Sequence, residues 1–140
     1  MWISTRDRLC RILVPMNSPE VFSYRQLHAA GYTRAQIERS LREGIIQRSA
    51  RGWYASPLAD PTVVRALEVK GHLGCLSGCR FYGVWTPPTN KLHVVYEAGD
   101  RPLPASGVLF HAANQPSPQQ AVWPLRDCLD HVLHRHSTEE

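Results

Sequence analysis

The sequence predicts an α+β fold, in which an N-terminal winged helix-turn-helix is followed by a small α+β lobe. Three observations support this prediction. Two helix starts of the capping-box type lie only ten residues apart, with a glycine between them. A hairpin pattern with a glycine at its turn follows the second helix directly. Helical and alternating apolar patterns then share the rest of the chain, so we divide it into residues 1–57 and 58–140.

Charge is distributed unevenly between these two units. Residues 1–56 hold nine arginines, no lysine and four acidic residues, a net charge of +5, whereas residues 57–140 carry −1. The planar guanidinium of arginine pairs bidentately with phosphate and with guanine edges, which an ammonium group cannot do. The asymmetry therefore favours nucleic acid as the partner of the N-terminal unit.

The composition argues against several other classes of protein. A hydrophobic content of 43% and a charged content of 20% are typical of a globular chain. No apolar run approaches the roughly 20 residues of a membrane span. Arginines interrupt the apolar pattern of the first 14 residues, so a signal peptide is not predicted. We expect a cytoplasmic protein without membrane contact, whose four cysteines are reduced.

Three short helices are predicted in the N-terminal unit. The first covers about residues 4–14 and is ended by proline. The second begins with a capping box at Ser23 and ends at Gly31. The third begins with a capping box at Thr33 and ends at Gly44. Two short helices joined by a tight turn with glycine form a helix-turn-helix.

A β-hairpin is predicted directly after the third helix. Residues 45–48 and 53–55 read as its strands, and Gly52 supplies the positive φ that the turn requires. A hairpin in this place is the wing of a winged helix. Arg48 and Arg51 are expected at its tip, within reach of a phosphate or a minor groove.

The candidate DNA-contacting residues lie on the helix-turn-helix and the wing. Arg34, Gln36 and Arg39 are expected to read base edges from the third helix, as a recognition helix does. The other candidates are expected to contact phosphate and set the register on the duplex; they are Ser23, Tyr24, Arg25, Thr33, Arg42, Arg48 and Arg51. A solvated charged surface without a partner is the alternative that this pattern leaves open.

The C-terminal unit is predicted to contain three helices and two strands. The helices are expected at about 61–70, 76–82 and 125–135, and the strands at 91–97 and 108–111. Residues 71–74 read as a break between the first two helices. The near-neutral charge of this unit fits a scaffold or a surface that contacts protein, including a second copy in a homodimer.

Side chains of this unit are assigned from the same patterns. Trp85, Trp123 and Tyr96 are expected in the core rather than at an interface. The apolar stripe of the last helix is expected to consist of Leu125, Cys128, Leu129, Val132 and Leu133. Its polar face is expected to carry His131 and His134.

No catalytic or metal site is predicted. Cys75 and Cys79, with His72 nearby, form at most half of a zinc pattern, and no second pair is evident except His131, His134 and His136 near the chain end. A helical cysteine such as Cys79 more simply packs as a small apolar residue. Glu97 and Asp100 lack the third acid or lysine that a nuclease site would need. We therefore expect no cofactor, no metal and no enzymatic activity.

The segment SYRQLHAAGYTRAQIERSLREGIIQRSARGWYA, residues 23–55, resembles the N-terminal winged-helix domain of AbiEi-type antitoxins and related transcriptional regulators. The family's pattern is a short helix, a glycine, a helix opened by serine or threonine, and a basic hairpin. The matching positions are Gly31, Thr33, Ile37, Gly44, Ile46, Arg48, Arg51, Gly52 and Tyr54. A weaker similarity continues through residues 75–85 and 91–96.

The resemblance implies promoter binding and repression, as part of a type IV toxin–antitoxin pair. We therefore expect a sequence-specific binder of double-stranded DNA that represses its own operon in a toxin–antitoxin or phage-immunity system. The alternative is a protein-interaction antitoxin that neutralises a cognate toxin, with DNA binding secondary. A fragment of a nuclease is a third possibility, against which the missing carboxylate cluster argues.

Overall fold

A computed structural model describes residues 18–138. The helix predicted over residues 4–14 lies outside the described residues. The described chain mixes helices and strands in the predicted α+β arrangement.

The N-terminal part runs β1 (Val21–Ser23), α1 (Tyr24–Ala29), α2 (Arg34–Arg42), β2 (Gln47–Ala50) and β3 (Trp53–Ala55). The C-terminal part runs α3 (Pro61–Glu68), β4 (His72–Leu73), α4 (Cys75–Phe81), β5 (Leu92–Glu97), β6 (Val108–Ala113) and α5 (Leu125–Thr138).

Both predicted capping boxes are present. The Ser23 hydroxyl accepts the backbone N–H of Gln26 at 3.1 Å, and the Gln26 side chain accepts the Ser23 N–H at 2.9 Å. The Thr33 hydroxyl accepts the N–H of Gln36 at 3.2 Å, and the return bond is 2.8 Å long. These bonds satisfy N–H groups that a helix start leaves without partners. The glycines that follow α1 and α2 have positive φ, as predicted.

A three-stranded antiparallel sheet, in the order β1-β3-β2, completes the winged helix-turn-helix. Strand β1 was not predicted, because three residues are too few to show alternation and the strand exists only by pairing with β3. Strand β2 covers Gln47–Ala50 rather than residues 45–48, because the N–H groups of Ile45 and Ile46 donate to the Ser40 carbonyl at the end of α2 instead of to a strand. The backbone N–H of Tyr24 donates to the Gly52 carbonyl at 3.1 Å and holds α1 against the wing.

The core of the winged helix is small and apolar. It is built from one side chain of each of five segments: Phe22, Leu27, Ile37, Ile46 and Tyr54. Leu41, one helical turn after Ile37, packs at its edge.

A second sheet, in the order β4-β5-β6, organises the C-terminal part. Strand β4 pairs antiparallel with β5, and β5 pairs parallel with β6. The prediction that residues 71–74 form only a break is wrong, because His72 and Leu73 pair with Val95 and Val94. A two-residue strand has no periodicity of its own and is created by its partner.

One hydrophobic cluster joins the two sheets through helix α3. Val21 and Ala55 of the first sheet lie in the same cluster as Val63 of α3, Val94 of β5 and Val122. The rings of Trp53 and Trp123 meet His72 edge-on at centroid distances of 5.6 and 6.4 Å, respectively.

Several side-chain assignments in the C-terminal part need correction. Trp123 is buried as predicted, whereas Trp85 is 82% exposed in the loop after α4. Cys128 is buried, but Leu129 and Leu133 are exposed, because α5 packs against α4 on one side and leaves its other side open. His131 lies inward, with its ring edge-on to Trp123 at 5.1 Å.

Cys79 is buried as a small apolar residue, as predicted, and burial raises the pKa of its thiol. No helix within residues 18–138 is long and apolar enough to cross a membrane.

Candidate nucleic-acid interface

Helix α2 presents two different sides. Ile37 and Ser40 are buried against the core, whereas Arg39 and Arg42 are exposed. At about 100° per residue, these two arginines lie on the side that points away from the core. Arg34 is exposed in the first turn of the helix.

A cleft of about 280 Å³ lies between α2 and the wing. Its lining includes Tyr24 at the start of α1, Arg34 and Glu38 on α2, and Arg48 and Tyr54 on the wing. Three predicted site residues from three elements, Tyr24, Arg34 and Arg48, are thus brought to one concave surface. A helix and a wing that flank a basic groove are the elements with which a winged helix contacts a duplex.

The wing extends this basic surface. Arg48 lines both the cleft and the adjoining surface at the hairpin turn, which Arg51 and Gly52 also line. The guanidinium carbon of Arg48 lies 5.8 Å from the ring centroid of Tyr54. This cation–π contact holds the arginine on the face of the wing.

Two of the interface arginines have acidic partners on the same helix. The Nε atom of Arg34 lies 3.4 Å from Glu38 Oε1, and the corresponding distance from Arg39 to Glu43 is 3.3 Å. The arginine side chains are 82% and 74% exposed. Exposed pairs of this kind contribute roughly 0.2–1 kcal/mol, so a phosphate or a guanine edge can replace the carboxylate at small cost.

Four other interface arginines differ in this respect. No carboxylate of the described chain lies within ion-pair distance of Arg25, Arg42, Arg48 or Arg51. All four are exposed on α1, α2 or the wing. They are therefore open to phosphate oxygens without first losing a carboxylate partner.

The polar side chains that are predicted to contact DNA already form hydrogen bonds in the helix caps. Gln36 Oε1 already accepts the Thr33 N–H, so bidentate recognition of an adenine by Gln36 would require that capping bond to open. The hydroxyl oxygens of Ser23 and Thr33 accept N–H groups and keep their own O–H to donate to a phosphate.

Three residues that contact candidate DNA-binding side chains were not predicted from the sequence. Glu38 and Glu43 partly neutralise the positive charge of α2. Their i,i+4 spacing from Arg34 and Arg39 could have indicated these ion pairs. His28 stacks on Tyr24 with ring centroids 6.0 Å apart and an interplanar angle of 8°. The same i,i+4 spacing could have indicated that contact.

The segment that forms this candidate interface also matches a known protein family. Residues 16–57 match a family described as "transcriptional regulator, AbiEi antitoxin", which confirms the resemblance found in the sequence. The matched segment contains β1, α1, α2 and the wing, and with them all ten candidate DNA-contacting residues. No curated protein matches the chain.

Proposed function

Because residues 16–57 match a family of transcriptional regulators, we propose that this protein binds double-stranded DNA and represses transcription from its own promoter. The observation that supports the proposal best is the cleft between α2 and the wing, where Tyr24, Arg34 and Arg48 converge. The system it regulates is then of the toxin–antitoxin or phage-immunity type.

In the proposed complex, the first turn of α2 enters the major groove. Arg34 and Arg39 release their glutamates and contact base edges, where a guanidinium pairs with the O6 and N7 atoms of guanine. Arg42 on α2 and Arg25 on α1 neutralise phosphates on either side of the groove. Arg48 and Arg51 bring the wing to the backbone or into the adjacent minor groove.

The charge pattern sets the expected dependence of affinity on salt. Each phosphate that an arginine neutralises adds about −0.9 to the slope of log K against log salt concentration. If all four arginines without carboxylate partners contact phosphate, the slope is about −3.6. Arg34 and Arg39 add to it only where they contact phosphate instead of a base.

The test is binding of the full chain to fluorescent duplexes, measured by anisotropy at two salt concentrations. One duplex comes from the region upstream of the protein's own gene, and the other is a scrambled sequence of equal composition. Tight, salt-sensitive binding that prefers the native duplex supports the proposal. Equal weak binding to both duplexes contradicts the repressor role, and no binding to either contradicts DNA binding altogether.

A second function, binding of a protein partner such as a cognate toxin, is favoured by the loop after α4. Trp85 is 82% exposed there and lies next to the exposed Val84. Large exposed aromatic side chains are typical anchors of protein interfaces. If the loop binds a toxin, Trp85→Ser should abolish neutralisation of the toxin encoded beside the gene and leave DNA affinity unchanged. Retained neutralisation in that variant would contradict this role of the loop.

The proposal includes no enzymatic activity. Glu97 Oε2 accepts the backbone N–H of Ser117 at 3.1 Å, which gives this carboxylate a structural role. Within residues 18–138, no group of three carboxylates converges as a metal-dependent nuclease would require. Incubation of a labelled duplex with the protein and Mg²⁺ should therefore leave the DNA intact.

A further inference from the structure

Three potential metal ligands converge in the C-terminal part, outside the segment that forms the winged helix. Cys75 is the first residue of α4, His93 lies in β5, and His111 lies in β6. One ligand atom of each residue, the cysteine sulfur or a ring nitrogen, lies within 4.8 Å of the other two. We propose that Cys75, His93 and His111 bind a zinc ion, at a site that is separate from the DNA interface.

The sheet register explains why the two histidines meet. In the parallel pair of β5 and β6, His93 lies opposite Leu109, and His111 is two residues further along β6. Residues two apart in a strand share a face, so both rings project on the same side of the sheet. The two ring planes are nearly parallel, with an interplanar angle of 10° and centroids 5.3 Å apart. Helix α4 packs on this face and brings Cys75 to the pair.

The spacing of the ligand atoms suits one tetrahedral ion. His93 Nδ1 and His111 Nε2 are 3.1 Å apart. Two nitrogens bound to one tetrahedral zinc at about 2.05 Å are about 3.3 Å apart. The corresponding sulfur–nitrogen spacing is roughly 3.5 Å, so the 4.8 Å limit leaves at most about 1.3 Å to close by side-chain rotation.

The facing nitrogens of the nearly parallel rings have the geometry of a hydrogen bond between two neutral imidazoles, so binding of a metal replaces that bond and requires one ring to rotate. The other ring nitrogen of His93, Nε2, lies 3.4 Å from Thr89 Oγ1. A histidine that binds a metal through one nitrogen usually donates the other N–H to an oxygen, which fixes its tautomer. The backbone N–H of His93 also donates to Ser77 Oγ at 2.8 Å and ties β5 to α4.

The chemistry of the three ligands selects the metal. A thiolate with two imidazoles suits zinc, whereas magnesium and calcium prefer oxygen ligands. Cys75 and His93 are 1% and 2% exposed, so the protein shields most of the ion. A cleft of about 420 Å³ borders both residues and leaves room for a water as fourth ligand.

An ion at this place would join three separate segments, α4, β5 and β6. Since these segments meet only in the folded chain, zinc should bind the folded state more tightly than the unfolded state. Binding to the folded state alone raises the midpoint of thermal unfolding in proportion to the logarithm of the free metal concentration.

The test is a titration of the full chain with Co²⁺ after removal of metal by EDTA. Cobalt replaces zinc in such sites, and a cysteine ligand gives it a thiolate-to-cobalt absorption band in the near ultraviolet. We expect saturation at one equivalent, loss of this band in Cys75→Ser, and affinity lowered by more than about tenfold in His111→Gln. The matched control is Cys79→Ala, which changes another buried cysteine of the same helix and should keep the band.

His111 is only partly buried, so His111→Gln should fold even if Cys75→Ser does not, and circular dichroism checks both. Added Zn²⁺ should raise the unfolding midpoint of the wild type and of Cys79→Ala, but not of His111→Gln. No saturable binding by the wild type would overturn the proposal. Equal affinity in the wild type and His111→Gln would also overturn it, because the metal would then be held elsewhere. Arg51→Ala should bind Co²⁺ normally, which separates this test from that of DNA binding.

Discussion

At the residue scale, the arginines of the proposed interface differ in whether they already form an ion pair with a carboxylate. Arg34 and Arg39 are paired with glutamates, whereas Arg51 lies at the wing turn without a carboxylate partner in the described chain. This difference separates residues that must exchange a protein partner for DNA from residues that are free to bind phosphate. It leads to two predictions that single substitutions can test.

Arg51→Ala should weaken binding to every duplex by a similar factor, because a phosphate contact carries no sequence information. The slope of log affinity against log salt concentration should become shallower by about 0.9, the value for one phosphate. The measurement is fluorescence anisotropy across a salt series with the native and scrambled duplexes. Arg101→Ala, which removes an exposed arginine from the C-terminal part, should leave both affinity and slope unchanged. A loss confined to the native duplex would show that Arg51 reads sequence.

Glu38→Gln should tighten DNA binding, because it removes a negative charge from the cleft and releases Arg34. The gain should be on the order of 0.5 kcal/mol, about twofold in affinity, since exposed pairs are weak. It should shrink as salt screens the charges. Glu68→Gln is the matched control, because Glu68 forms a similar helical pair with Arg65 outside the proposed interface. Equal gains in the two variants would mean that net charge alone governs binding.

At the element scale, the packing of α4 on α5 depends on Gly78. A Cβ added there would lie 2.3 Å from Cys128 Sγ and 3.3 Å from Cys128 Cβ. Both residues are buried, so the sulfur has little room to move. The glycine is therefore needed for the close approach of the two helices, and its backbone conformation is ordinary.

Gly78→Ala should lower the free energy of unfolding. Alanine gains roughly 1 kcal/mol in helix propensity, but overpacking of a buried contact typically costs 1–3 kcal/mol. We expect the clash to win, with a net loss of about 1–2 kcal/mol in urea denaturation. In a Cys128→Ala background, the same substitution should cost much less, because the sulfur is gone. Additive effects of the two changes would contradict this explanation.

At the scale of the whole molecule, His72 lies where the winged helix meets the C-terminal part. Its ring contacts Trp53 of β3 and Trp123, and its Nδ1 atom lies 3.3 Å from the Ala121 carbonyl oxygen. Burial lowers the pKa of His72, and hydrogen bonds to the backbone oppose this shift only in part. The folded protein thus favours the neutral imidazole.

The stability of the protein should consequently fall as the pH is lowered below about 6.5, the ordinary histidine pKa. In that range the unfolded chain binds a proton that the folded chain resists, and above it the contribution of His72 is constant. His72→Asn retains an N–H for the Ala121 carbonyl and does not titrate. The unfolding free energy of the wild type should decrease relative to this variant on acidification, in buffers with EDTA to exclude metal effects. A difference that does not change with pH would contradict the prediction.

His131 is a second histidine with a lowered pKa, caused mainly by burial. It should destabilise the protein at low pH in the same direction as His72. Comparison with the His72→Asn variant isolates the effect of His72, because His131 is present in both proteins.

The sequence by itself determined the elements that rest on local interactions. The capping boxes at Ser23 and Thr33 and the glycine turns join atoms only a few residues apart, so residue type and spacing suffice to predict them. The same local signals carried the family resemblance, which the match of residues 16–57 confirms. The individual DNA contacts stay predictions, although the structure brings Tyr24, Arg34 and Arg48 to one cleft.

Only the tertiary structure decided the features that depend on partners distant in the chain. Strands β1 and β4 exist through pairing with β3 and β5, and neither is long enough to show a period. The exposure of Trp85 depends on what covers the loop, which no local pattern encodes. Cys75, His93 and His111 follow one another at intervals of 18 residues, and they meet because a parallel register and a packed helix bring them together. Long-range pairing, rather than residue type, therefore determines where the proposed zinc site lies.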